Sequence, residues 1–268
     1  MMGRVTTLLY GVLCYLAFFA TFLYAIVFLG DFGVLRTIDS GAEGSVAKAL
    51  LIDAGLLAVF AIQHSIMARS WFKKAWTQIV PVAAERSTYV LFSSLALLLL
   101  FWKWQPIGGL VWQVDNELGQ MAIYLIFAAG WILLLLATFM INHFDLFGLR
   151  QVYLHFIGQP YSGLEFRTPG LYKVVRHPIY LSWLCIFWAT PQMTVAHLVF
   201  ALATTAYILI AIQWEEKDLT DIYGDAYRRY KQQVPGILPV RFSRENARNR
   251  VSGLDSAPQT QAVEYPGN

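Results

Sequence analysis

Two stretches without a single charged side chain decide what this chain can fold into. Residues 6–29 and 121–141 are apolar throughout, and each is longer than the roughly 18 residues that mark a membrane-spanning helix. In hydrocarbon no water satisfies the backbone N–H and C=O groups, so an isolated span of this kind must be helical. The composition agrees: 57% of residues are hydrophobic and 14% charged, against about 25% charged in soluble domains. The first run is long for a secretory signal core, and no small-x-small cleavage site stands clearly after it, so it reads as a retained span.

The other spans are less clean. Residues 49–68 are apolar but hold Asp53, Gln63 and His64. Residues 89–104 form a short run ending in Phe101, Trp102 and Trp104, side chains suited to the membrane interface. Residues 179–189 are too few to cross alone, residues 195–212 cross with their flanks, and residues 190–194 make the turn between them. These two segments read as a tight hairpin whose first arm is short or tilted. Tyr223, Ala226, Tyr227 and Tyr230 recur at helical spacing and mark an amphipathic helix beyond the membrane, with Gly224 as a point of interruption. The expected fold is therefore an all-α integral membrane protein with about five to six transmembrane helices, a C-terminal helical hairpin and a cytoplasmic amphipathic helix. Residues 1–240 make one domain, with 1–120 as helical scaffold and 121–240 holding nearly all the dense polar motifs. The polar composition of 241–268 predicts a disordered tail.

Charge orients the segments. With six segments and both ends on one side, that side collects Arg4, Arg69, Lys73, Lys74, Arg86, Arg150, Arg167, Lys173, Arg176 and every Lys or Arg from Lys217 onward. The other side keeps Arg36, Lys48 and Lys103. The positive-inside rule then puts both termini in the cytoplasm. Basic side chains beside anionic lipid account for the net charge of +3 without any nucleic acid. Cys14 and Cys185 lie inside apolar segments without metal-type spacing and read as small packing residues. Nothing in the pattern sets an oligomeric state.

The densest polar motif sits where two segments meet water. Arg176-His177-Pro178-x-Tyr180 opens one arm of the hairpin, because Pro178 lacks a backbone donor and suits a helix's first turn. Such an N-terminus offers free amides and a positive dipole end to an anionic group such as an amino-acid carboxylate. Interfacial anchoring by Arg, His and Tyr is the plainer alternative. Glu215-Glu216 ends the other arm, where the helix dipole disfavours acids. Arg176, His177, or a cationic ligand such as a sulfonium with an α-amino group, is needed to compensate them. Ionisable groups at this depth are costly and mark a site.

In order, Gly170-Leu171-Tyr172, Arg176-His177-Pro178-x-Tyr180, Glu215-Glu216, then Tyr223-Gly224-x-x-Tyr227-x-x-Tyr230 and a closing Pro resemble the isoprenylcysteine carboxyl methyltransferase-like superfamily of membrane enzymes. The resemblance implies that Tyr172, Arg176, His177, Pro178, Tyr180, Glu215, Glu216, Tyr227 and Tyr230 bind S-adenosyl-L-methionine. Gln63-His64-Ser65-x-Met67-Ala68-Arg69, with Glu85-Arg86-Ser87-Thr88-Tyr89 after it, is similar to the branch that holds the NnrU proteins and the bacterial methanethiol S-methyltransferases. The stretch from Asn142 to Tyr153 resembles the methanethiol enzymes in particular. On that resemblance the expected reaction methylates methanethiol to dimethyl sulfide, with hydrogen sulfide as a further acceptor. Two alternatives share some of these motifs: a methyltransferase for an isoprenylcysteine or a lipid amine, and a non-enzymatic NnrU-like accessory membrane protein.

Methyl transfer from a sulfonium is an in-line displacement that calls for alignment and a nucleophile, and for no metal. The effective nucleophile is the thiolate, so a base or a positive environment helps. His64, His143, Asp145, Arg150, Tyr153 and His155 are the candidates on the basic side. Asp145 or His64 is expected to take the proton or orient the group that does. Arg150 is expected to stabilise the thiolate or pair with Asp145, and Tyr153 completes the catalytic set. Each competes with a structural role; Asp145, for one, is placed to cap a turn. Phe144, Phe147, Trp183, Phe187 and Trp188 are the large side chains expected to close a small apolar pocket around the thiol.

Overall fold

The structure is a computed structural model that describes residues 2–239; the tail expected from residue 241 lies outside them. Five helices are long and apolar enough to cross a membrane. They are α1 (Met2–Gly30), α2 (Val46–Met67), α4 (Val82–Lys103), α5 (Glu117–Ile141) and α9 (Val195–Tyr223). Shorter pieces lie between them: α3 (Ser70–Trp76), α6 (His143–Leu146), α7 (Leu149–Ile157), a 3-10 turn at Gly170–Lys173, α8 (Pro178–Trp188) and α10 (Asp225–Gln233). Strands β1 (Leu110–Gln113) and β2 (Gln192–Thr194) pair antiparallel.

The bundle has two ends. One, here called proximal, holds the starts of α1, α4 and α8 and the ends of α2, α5 and α9. The other, distal, holds the β ribbon. Tyr10 bonds Thr88 at the proximal end, and Phe28 packs on Phe101 towards the distal end, so α1 and α4 run parallel. Ser65 meets Tyr207 and Arg69 meets Asp218, so α2 and α9 run parallel as well. With 11 residues, α8 rises about 16 Å, roughly half of a hydrocarbon core. An extended segment completes the crossing: residues 189–191 carry the chain on to β2, whose pairing with β1 fixes the hairpin at the distal end.

Three expectations about the elements change. The fourth helix begins at Val82 rather than near residue 89, because Glu85 and Arg86 sit within its first turns at the proximal end. The last long helix continues to Tyr223, well past the apolar run, and carries Glu215 and Glu216 in mid-helix. The ribbon and α3, α6 and α7 are too short to leave a periodic signal.

An aromatic core fills the distal half. Phe22, Phe28, Phe101, Trp104, Phe127, Trp131, Phe187 and Phe200 are all buried in it. Trp131 meets Phe22 edge-on at 5.1 Å and Trp183 at 5.5 Å. Trp183 stacks on Phe187, so both serve the core, and Trp188 donates to the Thr205 hydroxyl at 3.0 Å; these three do not wall a thiol pocket at the proximal end. α5 and α8 approach closely because Gly130 has no side chain. A Cβ there would stand 2.8 Å from Ile186 and 3.3 Å from the Ser182 carbonyl oxygen.

At the distal end one peptide group is held from both sides. Arg36 donates to the Trp104 carbonyl at 2.7 Å, and Asp53 accepts from the Gln105 N–H at 2.9 Å. Fully buried Asp53 thereby ties α2 and the 31–45 loop to the end of α4. The proximal counterpart is Gly148, at φ +87, whose missing Cβ would lie 2.6 Å from the backbone nitrogen of Ser87. Both the conformation and the contact require glycine. Gly148→Val is expected to destabilise the α4–α7 junction by about 2–4 kcal/mol, read as a lowered midpoint of thermal aggregation in detergent. An unchanged midpoint would contradict this packing.

Candidate functional site

Four parts of the chain converge on one carboxylate at the proximal end. Glu216, on the inner face of α9, is buried. Arg176 donates to its Oε1 from Nε at 2.9 Å and from Nη2 at 2.7 Å. His177 Nε2 lies 3.0 Å from the same oxygen, and Lys231 Nζ of α10 pairs with Oε2 at 2.5 Å. The C-terminal segment adds backbone bonds: Arg176 N–H donates to the Pro235 carbonyl at 2.8 Å, and His177 N–H to that of Gly236 at 3.1 Å. Arg176 Nη1 also donates to the carbonyls of Lys231 and Val234. A buried charge is tolerated only with partners of this quality. The acid that the sequence required to be compensated is compensated from within the chain.

Its neighbour Glu215 differs. Oε2 of Glu215 is buried and has no hydrogen-bond donor among the described residues; His177 Nδ1 stands 3.6 Å away. The Tyr180 hydroxyl contacts the same carboxylate. The buried Tyr227 hydroxyl likewise has no hydrogen-bond partner among the described residues. Tyr230 donates to the Tyr172 carbonyl at 2.6 Å, and Tyr172 to that of Ala137 at 3.4 Å. Burial pushes the Tyr230 hydroxyl up to about 12 and those of Tyr172 and Tyr227 higher still, so all three remain donors at neutral pH. Phe166, from the 158–169 loop, packs between Tyr223, Tyr227 and Tyr230 at 5.1, 5.9 and 5.5 Å and covers this face. Pro178 is the first residue of α8 and sets its start beside the Glu pair.

The four candidate catalytic residues do not come together. Asp145 and Arg150 form one cluster, paired at 2.8 Å. The second oxygen of buried Asp145 accepts from Tyr161 at 3.3 Å, and Arg150 reaches the Ser162 carbonyl at 3.0 Å. These bonds anchor the same loop that carries Phe166. Asp145 also sits where Asn142 caps α6, the side chain of Asn142 accepting the Asp145 N–H at 3.1 Å. Tyr153 points outward, 55% exposed, and lines with Leu8, Phe144 and Leu149 a surface groove of about 420 Å³. His143 is held between the Thr138 and Tyr15 hydroxyls, at 2.9 Å each, with Phe139 stacked on it. Burial pushes its imidazole below the ordinary value, and it serves packing. His64 stands apart, between α2 and α4, 2.9 Å from the Tyr89 hydroxyl.

Lys231 is the functional neighbour that the sequence did not single out. It lies one turn after Tyr227 on α10 and is half-exposed, and as one of several basic residues there it carries no distinguishing signal.

A family model described as phospholipid methyltransferase matches residues 123–226, the stretch that holds most of α5, all of α8 and the acid pair of α9. The chain belongs to the methanethiol S-methyltransferase family: it is 56% identical over 238 residues to a methanethiol S-methyltransferase of Crocosphaera subtropica, covering 89% of this chain and 93% of that one. A second relative of the same name, from Mycobacterium tuberculosis, is 49% identical over 89% of this chain and 98% of its own length. Nurim of Xenopus laevis is 30% identical over 88% of this chain and 87% of its own. No solved structure matches the chain.

The Glu pair yields separable expectations. Glu216→Ala leaves Arg176, His177 and Lys231 without their shared acceptor, which costs about 3–5 kcal/mol and should expose residues 224–239 to protease. Glu215→Gln should leave protease resistance intact and weaken binding of a sulfonium amino acid at least tenfold, measured by calorimetry. Equal behaviour of the two variants would show that the division of roles is wrong. For the loop anchor, Asp145→Asn should speed proteolytic cleavage within 158–169 several-fold, while the α9–α10 junction stays resistant.

Proposed function

We propose that this protein methylates methanethiol to dimethyl sulfide with S-adenosyl-L-methionine as donor, at the cytoplasmic face of a bacterial inner membrane. The observation that carries the reading is the pair of unlike acids. Glu216 is consumed by Arg176, His177 and Lys231, while Glu215 beside it keeps a buried acceptor oxygen that suits an α-ammonium group. The residues present fit the donor molecule: a carboxylate for its ammonium, the Tyr227 hydroxyl as a donor, and the rings of Tyr180 and Tyr227 for a sulfonium, which is attracted to aromatic faces. When bound, S-adenosyl-L-methionine supplies an electrophilic methyl group that a sulfur nucleophile accepts in one in-line displacement. The choice of acceptor follows the methanethiol S-methyltransferases, to which the chain is similar along most of its length; hydrogen sulfide is a second acceptor of the same chemistry.

The chain's own contribution is positioning. The Glu216 cluster fixes the end of α9 against the start of α8, and so sets the distance between Glu215 and Tyr180. The 158–169 loop covers the tyrosine face and limits access of water, which strengthens charge interactions beneath it. The excess of Lys and Arg at the proximal end supports the cytoplasmic orientation, where the methyl donor is available.

Membranes carrying the protein, given methyl-labelled S-adenosyl-L-methionine and methanethiol, should release labelled dimethyl sulfide into the headspace, and membranes with Glu215→Gln should release at least tenfold less. Headspace label equal to that of empty-vector membranes would overturn the reading. Bound donor without thiol turnover would redirect it to a larger hydrophobic acceptor.

A further inference from the structure

A second polar cluster lies between α2, α4 and α9, and the donor site does not use it. Phe60 stacks on the His64 imidazole, ring centroids 5.3 Å apart. The Tyr89 hydroxyl oxygen lies 2.9 Å from His64 Nε2 and 3.0 Å from Nδ1, and Ser93 Oγ is 3.2 Å from Nδ1. One arrangement of protons satisfies these contacts. Ser93 has one proton and donates it to the Tyr89 carbonyl at 2.9 Å. Ser93 therefore accepts from Nδ1–H, and the neutral ring carries its lone pair on Nε2. The Tyr89 hydroxyl donates to that lone pair and keeps its own oxygen as an acceptor.

Tyr207 closes the α9 side. Its ring meets Phe60 nearly edge-on at 6.3 Å, and its hydroxyl is 3.0 Å from Ser65 Oγ. Phe60, His64, Tyr89, Ser93 and Tyr207 are all half-buried. Tyr180 connects this cluster to the donor site, since it lies within electrostatic reach of Tyr89 and Tyr207 and contacts Glu215.

We infer that the acceptor thiol binds among Phe60, Tyr89 and Tyr207, with its S–H directed at the Tyr89 oxygen and His64 behind it. The inference rests on the donor site proposed above. A sulfur atom among aromatic rings gains dispersion and S–aromatic contacts, and rings contributed by three helices limit the length of the thiol. The S–H bond breaks as its proton moves to the Tyr89 oxygen and the Tyr89 proton moves to His64 Nε2. The electron pair stays on sulfur for the new carbon–sulfur bond. Arg86, whose guanidinium carbon lies 5.9 Å from the Tyr89 ring centroid, favours negative charge on the sulfur and opposes a cationic His64, so the proton reaches Nε2 only as the thiolate forms beside it. Asp145 is the poorer proton acceptor on position as well as occupancy. It lies on α6 and pairs with Arg150 of α7; Gly148 between them meets α4 at Ser87, which is two residues from Tyr89 and so about 200° around the helix.

Two measurements test the assignment on the full-length protein in detergent or nanodiscs. The first is acceptor selectivity, with methanethiol, ethanethiol and 1-propanethiol as probes. Phe60→Ala and Tyr207→Ala should each raise the 1-propanethiol to methanethiol ratio of kcat/KM at least tenfold. Tyr89→Phe should lower kcat at least tenfold for every thiol. All three variants should keep the wild-type Kd for S-adenosyl-L-methionine, which also reports that they are folded. The second measurement needs no turnover and leaves the aromatic walls intact. In a Cys14→Ala, Cys185→Ala background, Ser65→Cys should take a methylthio group from methyl methanethiosulfonate, and dimethyl sulfide should slow that labelling. Unchanged selectivity together with unprotected labelling overturns the acceptor site, as does a selectivity shift produced by Phe144→Ala instead. Loss of the donor reading has a different signature: Glu215→Gln binds the donor normally while the selectivity shifts persist.

Discussion

The arrangement of the proximal end depends on the Glu216 carboxylate. It is one group, on one helix, that holds the start of α8 through Arg176 and His177 and holds α10 through Lys231. Arg176 then passes the constraint on to the 234–236 segment through carbonyl contacts and a backbone bond. Such a cluster is costly to desolvate and gains its worth by fixing a geometry. Here the fixed elements are those that bring Tyr180, Glu215, Tyr227 and Tyr230 together. A hydrophobic substitute could join the helices, but it would not orient them through directional bonds.

The distal end solves a different problem. α8 is too short to cross, so the chain finishes the crossing in extended form and would expose unpaired backbone there. The β1–β2 ribbon, the Val114 N–H bonded to the Pro191 carbonyl, and Val195 N–H bonded to the Gly109 carbonyl absorb those groups. In return, the short α8 begins at the proximal end exactly beside the acid pair, with no length left over. The aromatic core beneath, around Trp131 and Phe187, is rigid and apolar and leaves polar chemistry to the proximal half.

Helix α4 separates two polar neighbourhoods. On one face Ser87 meets Gly148, which lies in sequence between Asp145 and Arg150, the pair that anchors the 158–169 loop. On another, Tyr89 meets His64, and Tyr180, in contact with Glu215, lies within electrostatic reach of Tyr89 and Tyr207. Residues close in sequence thus take part in different tasks, because successive helical positions turn by about 100°. Asp145 and His64 looked equivalent as candidates since both lie near the ends of apolar helices. Asp145 has both oxygens engaged by Arg150 and Tyr161, whereas His64 meets the Tyr89 and Ser93 hydroxyls, and that difference is made by partners distant in the chain.

The spans were legible because the membrane imposes a length and a polarity that uninterrupted runs such as 6–29 and 121–141 display directly. The motif Arg176-His177-Pro178, the acid pair and the tyrosines were legible for a related reason: charge at that depth is too expensive to be incidental. The division of labour between Glu215 and Glu216 was not legible, since adjacent residues of one type differ only in the direction they face. Nor was Lys231, one of several basic residues on α10, nor the outward turn of Tyr153. The sequence by itself determined a helical membrane protein with one polar cluster at the basic end of the bundle. Only the tertiary structure decided which acid is bound by its neighbours and which is left to bind, because that depends on where Arg176 and Lys231, far apart in the chain, arrive in space.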